Sequence, residues 1–244
     1  MSDVKNSGLA TNLVSYWELE EASGTRVDSH GSNDLTDNNT VGSATGIQGD
    51  GANIVRANTE YLSITDAAQT GLDFGTGQDF TLQFWYKPSS VVPFYAILKG
   101  DTAGVWYSLG GGLATGQFSF LVDDGSTIRT ISGGSHSAGN WYHVVGVREG
   151  TTLTLYVNNS VIGTDTNAAV DNDVSNSDPF YIGTFSAGNN ARTPDGVIDE
   201  VAVWSRALSA AEVTSLFNSG DGLPYDAGGG GGAADNAIFA FGGM

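Results

Sequence analysis

The sequence predicts an all-β protein: an antiparallel two-sheet β-sandwich with one short C-terminal helix and an extended C-terminal tail. Many short stretches alternate apolar and polar residues with a period of two, which is typical of strands buried on one face. Turn-forming residues separate these stretches, and glycine alone accounts for 35 of the 244 residues. No long segment repeats with the helical period, so the pattern favours strands joined by short turns.

The clearest strand signal is DFTLQFWYK at 79–87, which places Phe80, Leu82, Phe84 and Tyr86 together on one face. Similar short runs recur along the chain and bring the expected number of strands to at least ten. These runs lie at 13–19, 61–64, 95–99, 105–110, 117–122, 127–132, 141–148, 153–157, 180–185 and 196–204.

One helix is predicted near the C-terminus. Ser209 and Glu212 have the spacing of a capping box, with the serine as N-cap and the glutamate three residues later. Gly220 is expected to end the helix, because glycine is the usual residue just past a helix C-terminus. Three apolar residues form the predicted buried stripe, namely Val213, Leu216 and Phe217.

Composition excludes several classes of partner. The chain has 27 acidic and 9 basic residues, which gives a formal net charge of −18. This balance opposes nucleic acid, which is bound chiefly through Lys and Arg contacts to phosphate, and it opposes anionic membranes. The absence of cysteine excludes disulfides and thiolate metal sites. The N-terminus lacks the pattern of a signal peptide, and no apolar run is long enough to span a bilayer.

Six segments resemble laminin-G-like, concanavalin A-like jelly-roll modules, in the order typical of that family. They are LVSYWELEEASGTRVDSHGSNDL (13–35), EYLSI, DFTLQFWYKP, ILKG, NWYHVVGVREGTTLTLYVNN and GVIDEVAVWSRALSAAEV (196–213). The resemblance implies a jelly roll whose inter-sheet space is filled by large side chains, namely Trp17, Phe84, Trp141 and Trp204. It also implies that Leu208 and Phe217 pack the helix against a sheet edge.

The wider superfamily includes glycosidases of the laminarinase type, which carry E-x-D-x-E or E-x-D-x-x-E on a strand. This sequence has neither pattern. Glu18 and Glu20 would share a face if 13–20 were one strand, and retaining hydrolysis needs two carboxyls about 5 Å apart. The histidines lie outside any nucleophile motif, at His30, His136 and His143. We therefore predict no catalytic residues and no enzymatic activity.

The resemblance also implies a structural calcium ion between the first loop and the last strand. That role falls on Asp28 and Asp199, with Asn33 as a further ligand, because Ca²⁺ binds carboxylate and amide oxygens in loops. Two alternatives stay open. Asp28 could instead organise an Asx turn, and Asp199 could instead accept hydrogen bonds from loop amides.

A sugar ligand would bind aromatic side chains on an exposed sheet face, since aromatic rings stack on the apolar faces of sugars. Strand phase selects five aromatic candidates with two charged neighbours: Trp85, Trp106, Tyr107, Tyr156, Tyr181, Arg129 and Asp101. The alternative is that these aromatic residues pack beneath loops, and the phase of a strand does not decide between the two.

The predicted domain organisation ends in an unusual tail. We assign residues 1–7 to an N-terminal arm, 8–225 to the sandwich and 226–244 to a tether and tail. Five consecutive glycines precede an apolar stretch containing Ile238, Phe239 and Phe241. Leaving each of these side chains in water is unfavourable by ~1.5–3 kcal/mol relative to full burial. We predict that they dock onto a neighbouring subunit; the alternative is a disordered or self-covering tail.

Three functional classes follow from these features. The favoured one is a non-catalytic subunit of a large assembly, of the bacteriophage virion decoration or fibre type, which forms a homo-oligomer and presents an adhesive domain to cell-surface glycans. Its predicted location is the virion, with an extracellular location as the alternative. The second class is a stand-alone carbohydrate-binding module. The third is a glycoside hydrolase whose catalytic carboxylates the motifs do not reveal.

Overall fold

Two antiparallel sheets form the fold in the computed structural model, which describes residues 3–100, 104–112, 116–187 and 189–227. The strands are β1 Leu13–Trp17, β2 Thr36–Asn38, β3 Gly42–Thr45, β4 Asp50–Ile54, β5 Tyr61–Ile64, β6 Phe80–Pro88, β7 Tyr95–Gly100, β8 Val105–Gly111, β9 Gln117–Asp124, β10 Ile128–Ser135, β11 Tyr142–Glu149, β12 Thr152–Val157, β13 Ser160–Thr166, β14 Phe180–Ile182 and β15 Gly196–Trp204. The helix is α1 Ala210–Phe217.

The strand order defines a jelly-roll sandwich. The first sheet has the order β13-β12-β11-β6-β15-β4-β3, and β1 pairs with β15 outside this path. The second sheet has the order β10-β9-β8-β7-β14-β5-β2. The predicted fold class is therefore confirmed. None of the described helices is long and apolar enough to cross a membrane.

The main core lies between the sheets. The four residues predicted to share a face of β6 (Phe80, Leu82, Phe84 and Tyr86) are all fully buried there, because the period-two alternation holds along this central strand. Trp17 also lies in this core, as expected.

Two of the expected inter-sheet fillers lie elsewhere, so that part of the prediction is wrong. Trp204 points to the other face of the first sheet, because it follows Val203, which takes the inward position. Trp141 precedes β11 and is half-buried, with the Lys87 ammonium 6.0 Å from its ring centroid.

A second apolar cluster covers the outer face of the first sheet. Helix α1 begins with the predicted capping box of Ser209 and Glu212, and it buries Val213 and Leu216 against this face. The helix packs on the sheet face rather than on a sheet edge. Asn218 rather than Gly220 ends the helix, since Asn218 adopts the left-handed conformation with a φ of 45°.

The N-terminal segment joins the same cluster. Val4 is fully buried, and its N–H donates to the carbonyl of Pro224 over 3.0 Å. Residues before position 8 therefore pack with the C-terminal segment of the sandwich. The helix and the N-terminal segment together cover much of the outer face of the first sheet.

Candidate functional site

The outer face of the second sheet carries a group of aromatic and apolar side chains away from the main core. They come from β7, β8, β9, β14 and the loop after β14. We call this group the outer aromatic cluster; its members are Tyr95, Leu98, Trp106, Leu121, Tyr181 and Phe185.

The rings of the cluster pack edge to face. The centroid of Tyr95 lies 5.8 Å from that of Trp106 and 6.3 Å from that of Phe185, with interplanar angles of 80° and 76°. Trp106 and Tyr95 are only 3% and 7% exposed, whereas Tyr181 and Phe185 are half-buried. The deep rings therefore form a floor, and Tyr181 and Phe185 offer the accessible aromatic surface.

Polar groups sit within and around this floor. The indole Nε1 of Trp106 donates to the carboxylate of Asp123 over 3.2 Å. The hydroxyl of Ser108 is completely buried and has no hydrogen-bond partner in the described part of the chain, which is uncommon for a buried polar atom. Burial raises the pKa of Tyr95, so its phenol stays protonated at neutral pH.

A short loop borders the cluster and carries a cation. The guanidinium of Arg192 lies 5.8 Å from the centroid of Tyr95, within the range of a cation–π contact. Thr184 helps to order this loop, because its hydroxyl lies 3.0 Å from the carbonyl oxygens of both Ser186 and Asn189. The arrangement combines aromatic rings, a buried hydroxyl and a positive charge on the outer face of the interior strands of the second sheet.

Two of the predicted sugar-binding residues, Trp106 and Tyr181, lie in the outer aromatic cluster. Trp106 belongs to its floor rather than to its accessible surface. Tyr181 is half-buried, and its ring centroid lies 5.9 Å from that of Tyr61 on the neighbouring strand. Asp101 lies outside the described residues.

The structure does not place Trp85 and Tyr107 on an exposed face, so this expectation is wrong for both. Trp85 is 2% exposed because His143 and Phe217 stack against it, with centroid distances of 4.8 Å and 5.9 Å. Tyr107 lies between the sheets, and its hydroxyl donates to the carbonyl of Leu72 over 2.6 Å. Neither ring has a free face for a sugar.

Tyr156 and Arg129 do not belong to the outer aromatic cluster: Tyr156 lies on the first sheet, and Arg129 lies on edge strand β10, next to β9. Tyr156 is half-buried against the helix-covered cluster of the first sheet. Arg129 forms an ion pair with Asp165, which joins edge strand β10 of one sheet to edge strand β13 of the other. This contact closes one side of the sandwich, and it occupies the guanidinium that was expected to bind a ligand.

The oxygens of Asp28 bind backbone amides. One oxygen accepts from the N–H groups of Tyr16, His30 and Gly31 over 3.0, 3.1 and 2.9 Å. The other accepts from the N–H of Asn33 over 3.0 Å. Asp28 therefore organises the first loop, as in the Asx-turn alternative, and ties that loop to β1.

Asn33 is also fully engaged. Its side-chain oxygen accepts from the N–H of Thr70 over 2.7 Å, and its amide donates to Ser15 Oγ and to the Thr70 carbonyl. Among the described residues, no three His, Asp or Glu side chains form a metal-binding group. This donor set does not fit Ca²⁺, which needs six to eight converging oxygens. The calcium site stays a prediction without support from these side chains.

Asp199 takes the alternative role considered for it. Its Oδ2 accepts from the N–H groups of Ile47 and Gln48 over 2.7 and 3.2 Å, and its Oδ1 accepts from the N–H of Glu200. Burial raises the pKa of Asp199 to about 8 despite these donors. Asp199 thus fixes the loop between β3 and β4 to the last strand.

Glu200 adopts a positive φ of 49° at a bulge in β15, so its carboxyl lies near that of Asp199. The hydroxyl of Tyr16 donates to Glu200, and burial raises the pKa of Glu200 far above its ordinary value. Hydrogen bonds among these described residues join β1, the β3–β4 loop and β15, which is the junction that the calcium prediction assigned to an ion.

Glu18 and Glu20 do not share a strand face, because β1 ends at Trp17 and Leu19 has a positive φ of 60°. Glu18 accepts from the Ser29 hydroxyl over 2.6 Å, and Glu20 accepts from the Asp50 N–H over 2.9 Å. The two carboxylates therefore bind different segments, Glu18 the first loop and Glu20 the start of β4.

A family model described as the concanavalin A-like lectin/glucanases superfamily matches residues 56–214, which is more than half of the chain. The chain belongs to this superfamily. None of the curated proteins matches the sequence.

Several solved structures have a fold similar to that of this chain at low sequence identity. The binding domain of Paraclostridial Mosquitocidal Protein 1 has a TM-score of 0.70 and 20% identity, and the match covers 86% of this chain and 52% of that one. Domain 4 of the extracellular arabinanase AbnA from Geobacillus stearothermophilus has a TM-score of 0.64 and 17% identity, with 84% and 97% coverage. A botulinum neurotoxin type C structure has a TM-score of 0.63 and 15% identity, with 87% and 52% coverage.

These matches bear on the fold alone. The chain spans about half the length of the toxin domains, with 52% of each covered. The arabinanase domain was solved with arabinotriose, and the type C neurotoxin is described as depending on two ganglioside molecules for cell entry. The toxin from Paraclostridium is represented by its binding domain.

Four residues in or beside the outer aromatic cluster were not predicted from the sequence, namely Tyr95, Phe185, Ser108 and Arg192. A bulge at the start of β7 places Ala96 and Ile97 both in the main core, which sends Tyr95 to the outer face against strict alternation. The others lack a pattern in the sequence. The apolar residues of the tail, Ile238, Phe239 and Phe241, lie outside the described residues.

Proposed function

We propose that this protein is a non-catalytic carbohydrate-binding domain whose ligand lies on the outer aromatic cluster. The observation that carries the proposal is the combination of half-buried Tyr181 and Phe185 with the Arg192 cation on the face of the sheet that helix α1 does not cover. Sugars present C–H faces to aromatic rings and hydroxyls to polar groups, and the cluster offers both kinds of partner.

The similar structures support a binding role. Two of them are toxin binding structures and one is an arabinanase domain in complex with a trisaccharide. The arrangement of Glu18 and Glu20 supports the absence of glycoside hydrolysis, because each carboxylate accepts a hydrogen bond from a different segment, the first loop and the start of β4.

The test is a glycan array, followed by titration calorimetry with each glycan that binds. Replacing Tyr181→Ala or Phe185→Ala removes accessible aromatic surface, and we expect the affinity to fall by about tenfold or more, which corresponds to about 1.4 kcal/mol. Tyr156→Ala is the matched control, since Tyr156 is also half-buried but lies on the other sheet. Equal affinity in all three variants, or no glycan bound, would contradict the proposal.

We also propose that the domain is presented by a larger assembly, of the virion decoration or fibre type, as a homo-oligomer docked through residues 226–244. The support is the sequence of the tail, in which Phe239 and Phe241 follow a five-glycine tether and alternate as they would in an added strand. Deleting 227–244 should release the protein from sedimenting particles and leave glycan affinity unchanged. Continued co-sedimentation of the truncated protein would refute docking by the tail.

A further inference from the structure

Most of the Lys and Arg side chains in this acidic chain bind oxygen atoms of carboxylates or backbone carbonyls. The nine Lys and Arg residues all lie in the described part of the chain. Four of them form ion pairs with carboxylates, namely Lys5, Lys99, Arg129 and Arg206. Three donate to backbone carbonyls, namely Arg26, Arg56 and Arg148. The remaining two, Lys87 and Arg192, lie near aromatic rings and have no hydrogen bond or ion pair from their charged groups to the described residues.

Arg192 is the unpaired cation at the outer aromatic cluster. Its guanidinium carbon lies 5.8 Å from the ring centroid of Tyr95, and the side chain is half-buried without a hydrogen bond or ion pair among the described residues. A planar guanidinium carries its N–H donors at its edge, where they can bind a planar anion. The chain carries 27 acidic residues, yet none of the described ones reaches this guanidinium.

The position of Arg192 is fixed by its neighbours. Arg56 donates to the carbonyls of Thr193 over 2.7 Å and of Ala191 over 2.9 Å, on both sides of Arg192 in the sequence. Arg56 forms no ion pair with a described carboxylate side chain through its guanidinium, and its backbone N–H donates to Asp195 on the same loop over 3.4 Å. Arg192 is therefore the cation that this loop presents without an oxygen partner among the described residues.

We infer that the ligand of the outer aromatic cluster is an acidic glycan and that Arg192 binds its carboxylate. This inference rests on the proposed function and specifies its ligand. The planar fork of arginine matches a carboxylate with two parallel hydrogen bonds. The rings of Tyr181 and Phe185 then take the apolar face of the same or a neighbouring sugar.

The experiment compares glycans that differ only in the carboxylate. The probes are 3′-sialyllactose against lactose, and trigalacturonate against its trimethyl ester, titrated into the full chain. We expect at least one acidic probe to bind about 10-fold to 100-fold more tightly than its neutral counterpart, as for a charge-assisted bidentate contact. Arg192→Gln should remove this preference, Arg192→Lys should keep part of it, and rising salt should weaken it.

Lys87→Gln is the matched control, because Lys87 is the other cation without an oxygen partner and lies on the first sheet. Near-UV circular dichroism of each variant checks that the fold is intact. Neutral probes that bind as tightly as acidic ones, or an unchanged preference in Arg192→Gln, would overturn the inference and leave the proposed function standing. Failure of all four probes overturns the inference as well. Binding that is unaffected by Tyr181→Ala overturns the proposed function instead.

Discussion

Lowering the pH should destabilise this protein through the buried imidazole of His143. His143 is 1% exposed and packs against Trp85 and Phe217, with its Nε2 donating to the side-chain oxygen of Gln83 over 3.0 Å. Its Nδ1 is buried without a hydrogen-bond partner among the described residues. Burial lowers the pKa of His143 from 6.5 to about 3, so the folded protein keeps this ring neutral in mild acid.

The direction of this change in stability with pH follows from proton binding. Between the unfolded-state pKa of 6.5 and the folded-state pKa of about 3, the unfolded chain binds a proton at His143 that the folded chain does not. The stability contributed by the neutral ring is therefore complete above pH 6.5 and is lost as the pH falls toward 3. At pH 5, about 1.5 units below the unfolded-state pKa, the loss is about 2 kcal/mol.

The assay is urea unfolding at pH 7 and pH 5 for the native protein and His143→Gln, which retains an N–H donor for Gln83. We expect the free energy of unfolding to fall by about 2 kcal/mol more in the native protein than in the variant over this interval. His30→Gln is the control, because His30 is exposed in the first loop. The same pH dependence in the native protein and His143→Gln would refute the burial argument.

Three further predictions concern other buried contacts. Asp28→Ala should lower the free energy of unfolding by about 3 kcal/mol or more, since four backbone N–H groups lose their acceptor, whereas EDTA at matched ionic strength should leave the melting temperature unchanged. A fall in melting temperature with EDTA would restore the calcium prediction. His136→Leu should raise the free energy of unfolding by about 1–2 kcal/mol, because both ring nitrogens of His136 are buried without hydrogen-bond partners among the described residues. A less stable His136→Leu variant would contradict this prediction. Arg56→Ala should speed hydrogen exchange in residues 191–193 and weaken glycan binding, and unchanged exchange would show that Arg56 does not order that loop.

The inward-facing residues could be predicted where alternation is unbroken. On β6, four apolar residues at every second position lie in the main core as the pattern indicates. The helix start was equally local, because the capping box of Ser209 and Glu212 lies within four residues. Which segments cover the outward-facing residues could not be predicted in the same way.

Trp85 and Trp106 illustrate that limit. Both point away from the main core, and both are large aromatic residues on regular strands. Phe217 of helix α1 covers the face that carries Trp85, whereas Trp106 lies on the outer face of the other sheet, away from α1. A period-two pattern reports which residues share a face, and it carries no information about what a distant segment places on that face.

The sequence by itself determined the sandwich, the residues of its central strand, the start of the helix and the unusual tail, because these depend on alternation and on contacts within a few residues. Only the tertiary structure decided the candidate site. Tyr95 reaches the outer face through a bulge, and Arg192 reaches Tyr95 from a loop 97 positions further along the chain. Backbone irregularity and long-range contact are set by packing between segments, so residues that form this site share no local pattern.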